Sequence, residues 1–232
     1  MMLDPELKLV IYAEGSMGTL FAKMAEGVIR YSANPIVAVI DSKKAGKTVK
    51  EVCKIDKDIP ILSGIEEAIS LGPQVMVLGT APSGGRLPQS WLEVIEYAIS
   101  KGISIVNGLH DFVGEIYEKD LKAKQWIWDI RKPVGKSPII GGARASSLNN
   151  KRILMIGTDM AVGKMTAGLE LTKSLLKLKI DAKFLATGQT GICISGTGIP
   201  LDAFKVDHAS GAVEEMVLMH SDKHIVIIEG QG

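Results

Sequence analysis

Residues 152–178, RILMIGTDMAVGKMTAGLELTKSLLKL, decide the fold. The apolar run RILMIG predicts a buried β-strand, GTDMAVG a glycine-bounded turn, and KMTAGLELTKSLLKL a helix with Leu171, Leu175 and Leu178 on one face. In a strand–turn–helix of this kind the amides of the turn and the unpaired donors of the first helical turn converge on one spot. There the helix dipole also favours an anion. Lys164 adds a mobile positive charge. The stretch therefore reads as a phosphate-binding loop, with Gly157, Thr158, Asp159, Ala161, Val162, Gly163, Lys164, Met165 and Thr166 as its contacts. The bland alternative is a glycine-bearing turn that only caps its helix.

The spacing is unusual. Five residues separate Gly157 from Gly163 where four are the common number, and Met165 follows the lysine where Ser or Thr is expected. A hydroxyl at that position normally holds magnesium, and a thioether is a poor ligand for a hard cation. Thr166 leaves the helix about 100° further round. Hydrolysis of a triphosphate is not expected, and no resident metal is assigned. Asp159, an acid beside a phosphate cradle, reads as a cap for the loop's own amides, or as a group that handles a cation or amine.

Outward from the loop, the strand–helix rhythm continues through AKFLATG, the apolar run GICISG, a helix from His208 to His220, and HIVIIEG. Towards the N-terminus it runs through KLVIYA, a helix at 20–31, PIVAVID, IPILSG, a helix at 65–71, QVMVLGT, a helix at 90–101, and ISIVNGL. Near-continuous Val/Ile runs separated by helices imply parallel sheets covered on both faces. The expectation is an α/β protein: a Rossmann-like parallel sheet over 1–118, a connection over 119–150, and a P-loop NTPase-like parallel α/β unit over 151–232. A strand ending at Glu229 should feed a further crossover, so the second unit is expected to be incomplete at its C-terminal side.

Composition narrows the function classes. With 46% hydrophobic and 23% charged residues the chain is expected to fold rather than remain disordered. Lys plus Arg number 27 against 26 Asp plus Glu, without runs of one sign, so neither nucleic acid nor an anionic membrane is an expected partner. A small-molecule substrate is expected instead, and a homo-oligomer stays open. No apolar run reaches the roughly 18 residues of a membrane span. The two cysteines, Cys53 and Cys193, lack metal-ligand spacing and suit a reducing, cytoplasmic setting.

Other residues carry weaker signals. Glu229 ends an apolar strand, and Gln231 lies between two glycines that let a ligand approach the backbone. Glu229 is a candidate base or metal ligand, and Asp207 a second candidate base whose plainer role is a helix N-cap. Gln189, Thr190 and Gly191 follow a strand on the same sheet edge as the loop and are candidate substrate contacts, or a plain turn. Amides near those glycines are candidate oxyanion donors. In the first unit Arg86, in APSGGRLP, offers a fork for a carboxylate, and His110 a proton donor or acceptor. EGSMG after the first strand, with Asp41 closing the second, resembles a weak dinucleotide turn. The full glycine pattern is missing, so a structural turn is the preferred reading.

Two resemblances follow from these residues. GTDMAVGK at 157–164 is similar to the phosphate loop of dethiobiotin synthetase, and EGQG at 229–232 to that family's acidic post-strand motif. This likeness implies ATP with magnesium, held by Thr166 and Glu229. A second resemblance covers nearly the whole chain: AVID at 38–41 with Gly46, GTAPSGGRLP at 79–88, NGLHDF at 107–112, GTDMAVGKMTAGLEL at 157–171, FLATGQTGICISGTGIPLD at 184–202, Asp207 with GAVE at 211–214, and IEGQG at 228–232. In these the chain resembles a two-domain family, long without an assigned function, that includes D-glutamate N-acetyltransferases. The methionine after the lysine belongs to that family's pattern, whereas His208 replaces its usual aromatic residue. The resemblance implies an acetyl-CoA-dependent N-acetyltransferase acting on an acidic amino acid. The alternatives are an ATP/Mg-dependent ligase or kinase, and a nucleotide-binding module without turnover.

Overall fold

The computed structural model describes residues 3–80, 82–132, 140–159 and 161–231, with Ser83 described by its backbone only. The chain divides into two compact units, Leu3–Ile130 and Arg131–Gly232.

The first unit alternates β1 (Leu9–Tyr12), α1 (Lys23–Tyr31), β2 (Ile36–Ile40), α2 (Val49–Cys53), β3 (Ile61–Leu62), α3 (Ile65–Ile69), β4 (Val75–Leu78), α4 (Leu92–Ser100), β5 (Ser104–Asn107), α5 (Val113–Tyr117) and β6 (Ile127–Asp129). All strands run parallel in the order β3-β2-β1-β4-β5-β6. The order reverses direction between β1 and β4, a topological switch point of an open α/β sheet. LVIY, VMVL and SIVN are buried at every position, because helices cover both faces. One side of the sheet packs Val10, Ala38, Ile40, Met76 and Leu78 against Ile65, Trp91, Ile95 and Ile99. Each fully buried aliphatic side chain of this kind contributes about 1.5–3 kcal/mol. Thr48 and Glu51 form a reciprocal capping box that starts α2.

The first unit does not end at residue 118. Residues 127–129, IWD, pair with β5 as a sixth strand, and Trp128 is buried. Three residues at a sheet edge are too few to show a period of two in the sequence. The Asp129 carboxylate accepts the amides of Val113 and Gly114 and the Asn107 side chain, fixing the start of α5 against the sheet edge.

The second unit contains β7 (Lys151–Met155), α6 (Lys164–Lys177), β8 (Ala182–Leu185), α7 (Gln189–Ser195), α8 (Val206–Leu218) and β9 (Ile225–Glu229), with the parallel order β7-β9-β8. Its core gathers Leu185, Met216, Val217, Val226 and Ile228. Residues 140–150, expected as part of a connection, belong to this unit. The buried Glu214 carboxylate on α8 accepts the amides of Gly142 (2.9 Å) and Ala145 (3.2 Å) and the Arg144 guanidinium (3.0 Å). These bonds hold that carboxyl below its ordinary range, the Gly142 amide acting most strongly.

Three expectations are corrected here. GICIS is a helix, α7, begun by Gly188 and ended by the left-handed Gly196. A short apolar run between glycines does not reveal its period. Helix α8 starts at Val206, so Asp207 is its second residue; the N-cap is Lys205, and no side chain caps it. The strand of the glycine-bounded loop is not buried: Leu154 is 56% and Ile156 80% exposed, because among the described residues β7 pairs only with β9. No helix among the described residues is long and apolar enough to cross a membrane.

Candidate functional site

Between β7 and α6 the chain makes its glycine-bounded loop. Ala161 and Gly163 take positive φ angles of 58° and 101°, which turns successive amides towards one side before the helix begins at Lys164. A Cβ on Gly157 would lie 2.6 Å from Val162 Cγ2, so a larger residue there would have to displace the Val162 side chain. Lys164 Nζ donates to the Asp159 carbonyl at 2.6 Å, closing the loop across its mouth. Met160 lies outside the described residues.

The donors are what matter. Among the described residues the amides of Ala161, Val162 and Gly163 donate to no acceptor, while Gly163 itself accepts from Ala167. The amides of Lys164, Met165 and Thr166 open α6 and have no intrahelical partner. Thr158, Asp159, Ala161, Val162, Gly163 and Thr166 are exposed, and Lys164 and Met165 half-buried. Unmet amides, a positive helix end and an ammonium suit a diphosphate. Among the described residues no cluster of three or more His, Cys, Asp or Glu side chains could hold a metal.

Beside this loop stands Glu229. Parallel pairing puts Met155 and Glu229 in register, so the carboxylate leaves its strand where the loop leaves β7. The carboxylate accepts the amides of Thr187 (2.9 Å) and Gly188 (3.3 Å). Thr187 Oγ1 donates to the Glu229 carbonyl at 2.9 Å and accepts from Gln231 Nε2 at 2.8 Å. A Cβ on Gly191 would sit 2.8 Å from Glu229 Oε2, so the first turn of α7 closes directly onto the acid. Burial pushes the Glu229 carboxyl above its ordinary range, opposed by the two amides and by the charge of Lys164.

The structure thus gathers Lys164, Glu229, Gln231 and Gly191 at one sheet edge, with Gln189 and Thr190 in the first turn of α7. Thr187, given no separate role in the sequence reading, joins Glu229 to Gln231. Its signal was its place at the head of TGQTG, Thr187 to Gly191, the stretch that falls where the dethiobiotin synthetase family has its second loop. The expected oxyanion role for glycine amides in this loop is narrowed: Gly188 is committed to Glu229, leaving the first-turn donors of Gln189, Thr190 and Gly191. Asp207 is exposed, and among the described residues its side chain makes no hydrogen bond to Glu229 or to any other group.

Arg86 and His110 belong to the first unit. Asp111 receives Arg86 Nη1 at 2.5 Å and the Leu87 amide at 2.7 Å, and the His110 amide donates to the Gly85 carbonyl. The Leu87 amide, with Arg86, holds the Asp111 carboxyl below its ordinary range. Asp41 serves the structural turn and not a ribose: wholly buried, it accepts the amides of Gly15 (3.1 Å), Met17 (2.9 Å) and Lys43 (3.1 Å).

A Rossmann-like parallel sheet followed by a P-loop unit defines the class of protein. The chain belongs to the DUF1611 family: residues 42–133 match its N-terminal domain of unknown function, described as Rossmann-like, and residues 139–232 its C-terminal P-loop domain. It is similar to a D-glutamate N-acetyltransferase of Pseudoalteromonas, at 41% identity over 169 residues, covering 72% of this chain and 50% of that protein. A D-glutamate N-acetyltransferase of Tritonibacter scottomollicae is 37% identical over 173 residues, with the same coverage. The chain therefore spans about half the length of these curated relatives. A crystal structure of a DUF1611 protein from Anabaena variabilis is 39% identical, with a TM-score of 0.93 over 98% of this chain and 67% of that one.

Proposed function

We propose that the protein is an N-acetyltransferase that uses acetyl-CoA and acts on the amine of an acidic amino acid, D-glutamate being the first candidate. One observation carries this reading: a P-loop with unmet amides and Lys164, suited to a diphosphate, whose helix presents Met165 where a magnesium-binding hydroxyl would stand. The names of the two curated relatives support the acyl-transfer chemistry and supply the acceptor.

Acetyl-CoA supplies an acetyl thioester. In the proposed reaction the amine nitrogen bonds to the acetyl carbon, the carbon–sulfur bond breaks with its electron pair leaving on sulfur, and the ammonium loses a proton. The amides of Ala161, Val162 and Gly163 with Lys164 hold the diphosphate. Glu229, buried and with its proton affinity raised, is the candidate acceptor of the amine proton. The first-turn amides of α7 are the candidate donors to the developing oxyanion.

The second reading, an ATP/Mg-dependent ligase or kinase, is favoured by the acid at the strand end beside Lys164, where a magnesium ligand would stand. Titration calorimetry on the full-length protein separates the two. Acetyl-CoA binding more tightly than ATP with magnesium, followed by acetylated product from D-glutamate, is expected. Tighter ATP binding with ADP release on adding carboxylates would overturn it.

A further inference from the structure

The first unit holds a concavity of its own. A cavity of about 430 Å³ opens at the carboxyl ends of β1, β2 and β3, lined by Tyr12, Glu14, Ile40, Ser42, Ser63, Gly64, Ile65, Glu66, Glu93, Val94 and Tyr97. Its volume lies in the range of small-molecule sites. Ile40, Ile65 and Val94 give it an apolar wall, and Glu66 and Glu93 stand exposed at its rim. None of the lining residues is Lys, Arg or His. Lys101, the C-cap of α4, sits over the Tyr97 ring, 5.1 Å from its centroid, and does not line the cavity.

Tyr12 is the telling residue. It is only 5% exposed and lines the cavity, yet its hydroxyl makes no hydrogen bond among the described residues. Its ring is fixed from the side by an edge-on contact with Trp91, centroids 5.0 Å apart. The ring is buried while the hydroxyl oxygen itself stays accessible, so the tip of a fixed side chain offers an unused polar atom to a space able to hold a ligand. Glu14 is anchored beside it, accepting the Ser42 amide at 2.9 Å and the Ser42 hydroxyl at 2.5 Å.

We propose that this cleft binds a small organic ammonium compound with an apolar body. The ammonium donates to the Tyr12 hydroxyl oxygen within the field of Glu14, Glu66 and Glu93, and the body lies on Ile40, Ile65 and Val94. The same field disfavours anions, so the acidic acceptor proposed for the P-loop protein is not this ligand. Neither claim depends on the other.

Calorimetric titration of the full-length protein with phenethylamine, and separately with 3-phenylpropionate, tests the proposal. Saturable binding of the amine is expected, about tenfold or more tighter than the anion, as loss of a charge-assisted hydrogen bond and its field would give. Tyr12→Phe, which keeps the Trp91 contact, and the surface change Glu93→Gln should each weaken it, and Val94→Trp should block it. Equal binding of the anion, no saturable binding of the amine, or wild-type affinity in both Tyr12→Phe and Glu93→Gln would overturn it.

Discussion

Thr187 and Glu229 hold each other at both ends: the Thr187 amide donates to the Glu229 carboxylate and the Thr187 hydroxyl to the Glu229 carbonyl, each at 2.9 Å. Two strand ends are thereby locked beside the P-loop, and the acid is positioned by backbone rather than by a flexible partner.

Glu229→Gln keeps an acceptor for those amides but removes the proposed base. If Glu229 takes the amine proton, kcat should fall by about 10²- to 10⁴-fold with acetyl-CoA affinity little changed. Loss of affinity without loss of kcat would assign the residue to binding.

The raised affinity of Glu229 for its proton also has a thermodynamic sign. The folded state binds that proton more tightly than the unfolded state. This group's contribution to stability is therefore full below the ordinary carboxylate range and falls as pH rises through the raised value. Urea denaturation across that window should show the fall in wild type relative to Glu229→Gln; parallel curves would contradict it.

Lys164→Ala removes the ammonium that closes the loop onto the Asp159 carbonyl. Acetyl-CoA affinity should weaken by roughly 1–3 kcal/mol, as for a charge-assisted hydrogen bond. An unchanged dissociation constant would count against the loop as the diphosphate site.

Asp41→Ala removes the acceptor of the buried Met17 amide and of the part-buried Gly15 amide in the turn after β1, and of the Lys43 amide after β2. Stability should fall by about 1–3 kcal/mol in chemical denaturation. Nucleotide or acetyl-CoA affinity should not change, since the carboxylate serves the turn.

Much of this was legible in the sequence. Residues 152–178 gave strand, loop and helix because apolar periodicity, bounding glycines and Lys164 all agree, and Glu229 was singled out because it ends an apolar run. The helix α7 and the strand β6 were hidden by brevity: GICIS and IWD carry too few residues to distinguish periods. The exposure of β7 depends on which strands flank it, which no local pattern encodes. The partners of Glu214 and Thr187 lie 72 and 42 residues away in the chain, beyond the reach of a local pattern, whereas the structural turn that Asp41 serves was already the preferred reading of EGSMG. Asp207 is the second residue of α8 and not its N-cap because the helix begins earlier than its composition suggested.

The most direct test is a crystal structure of the full-length protein soaked with acetyl-CoA. The account predicts diphosphate oxygens within hydrogen-bonding distance of the Ala161, Val162 and Gly163 amides and of Lys164 Nζ. Cofactor density elsewhere, with those amides bonded to the protein's own acceptors, would contradict it.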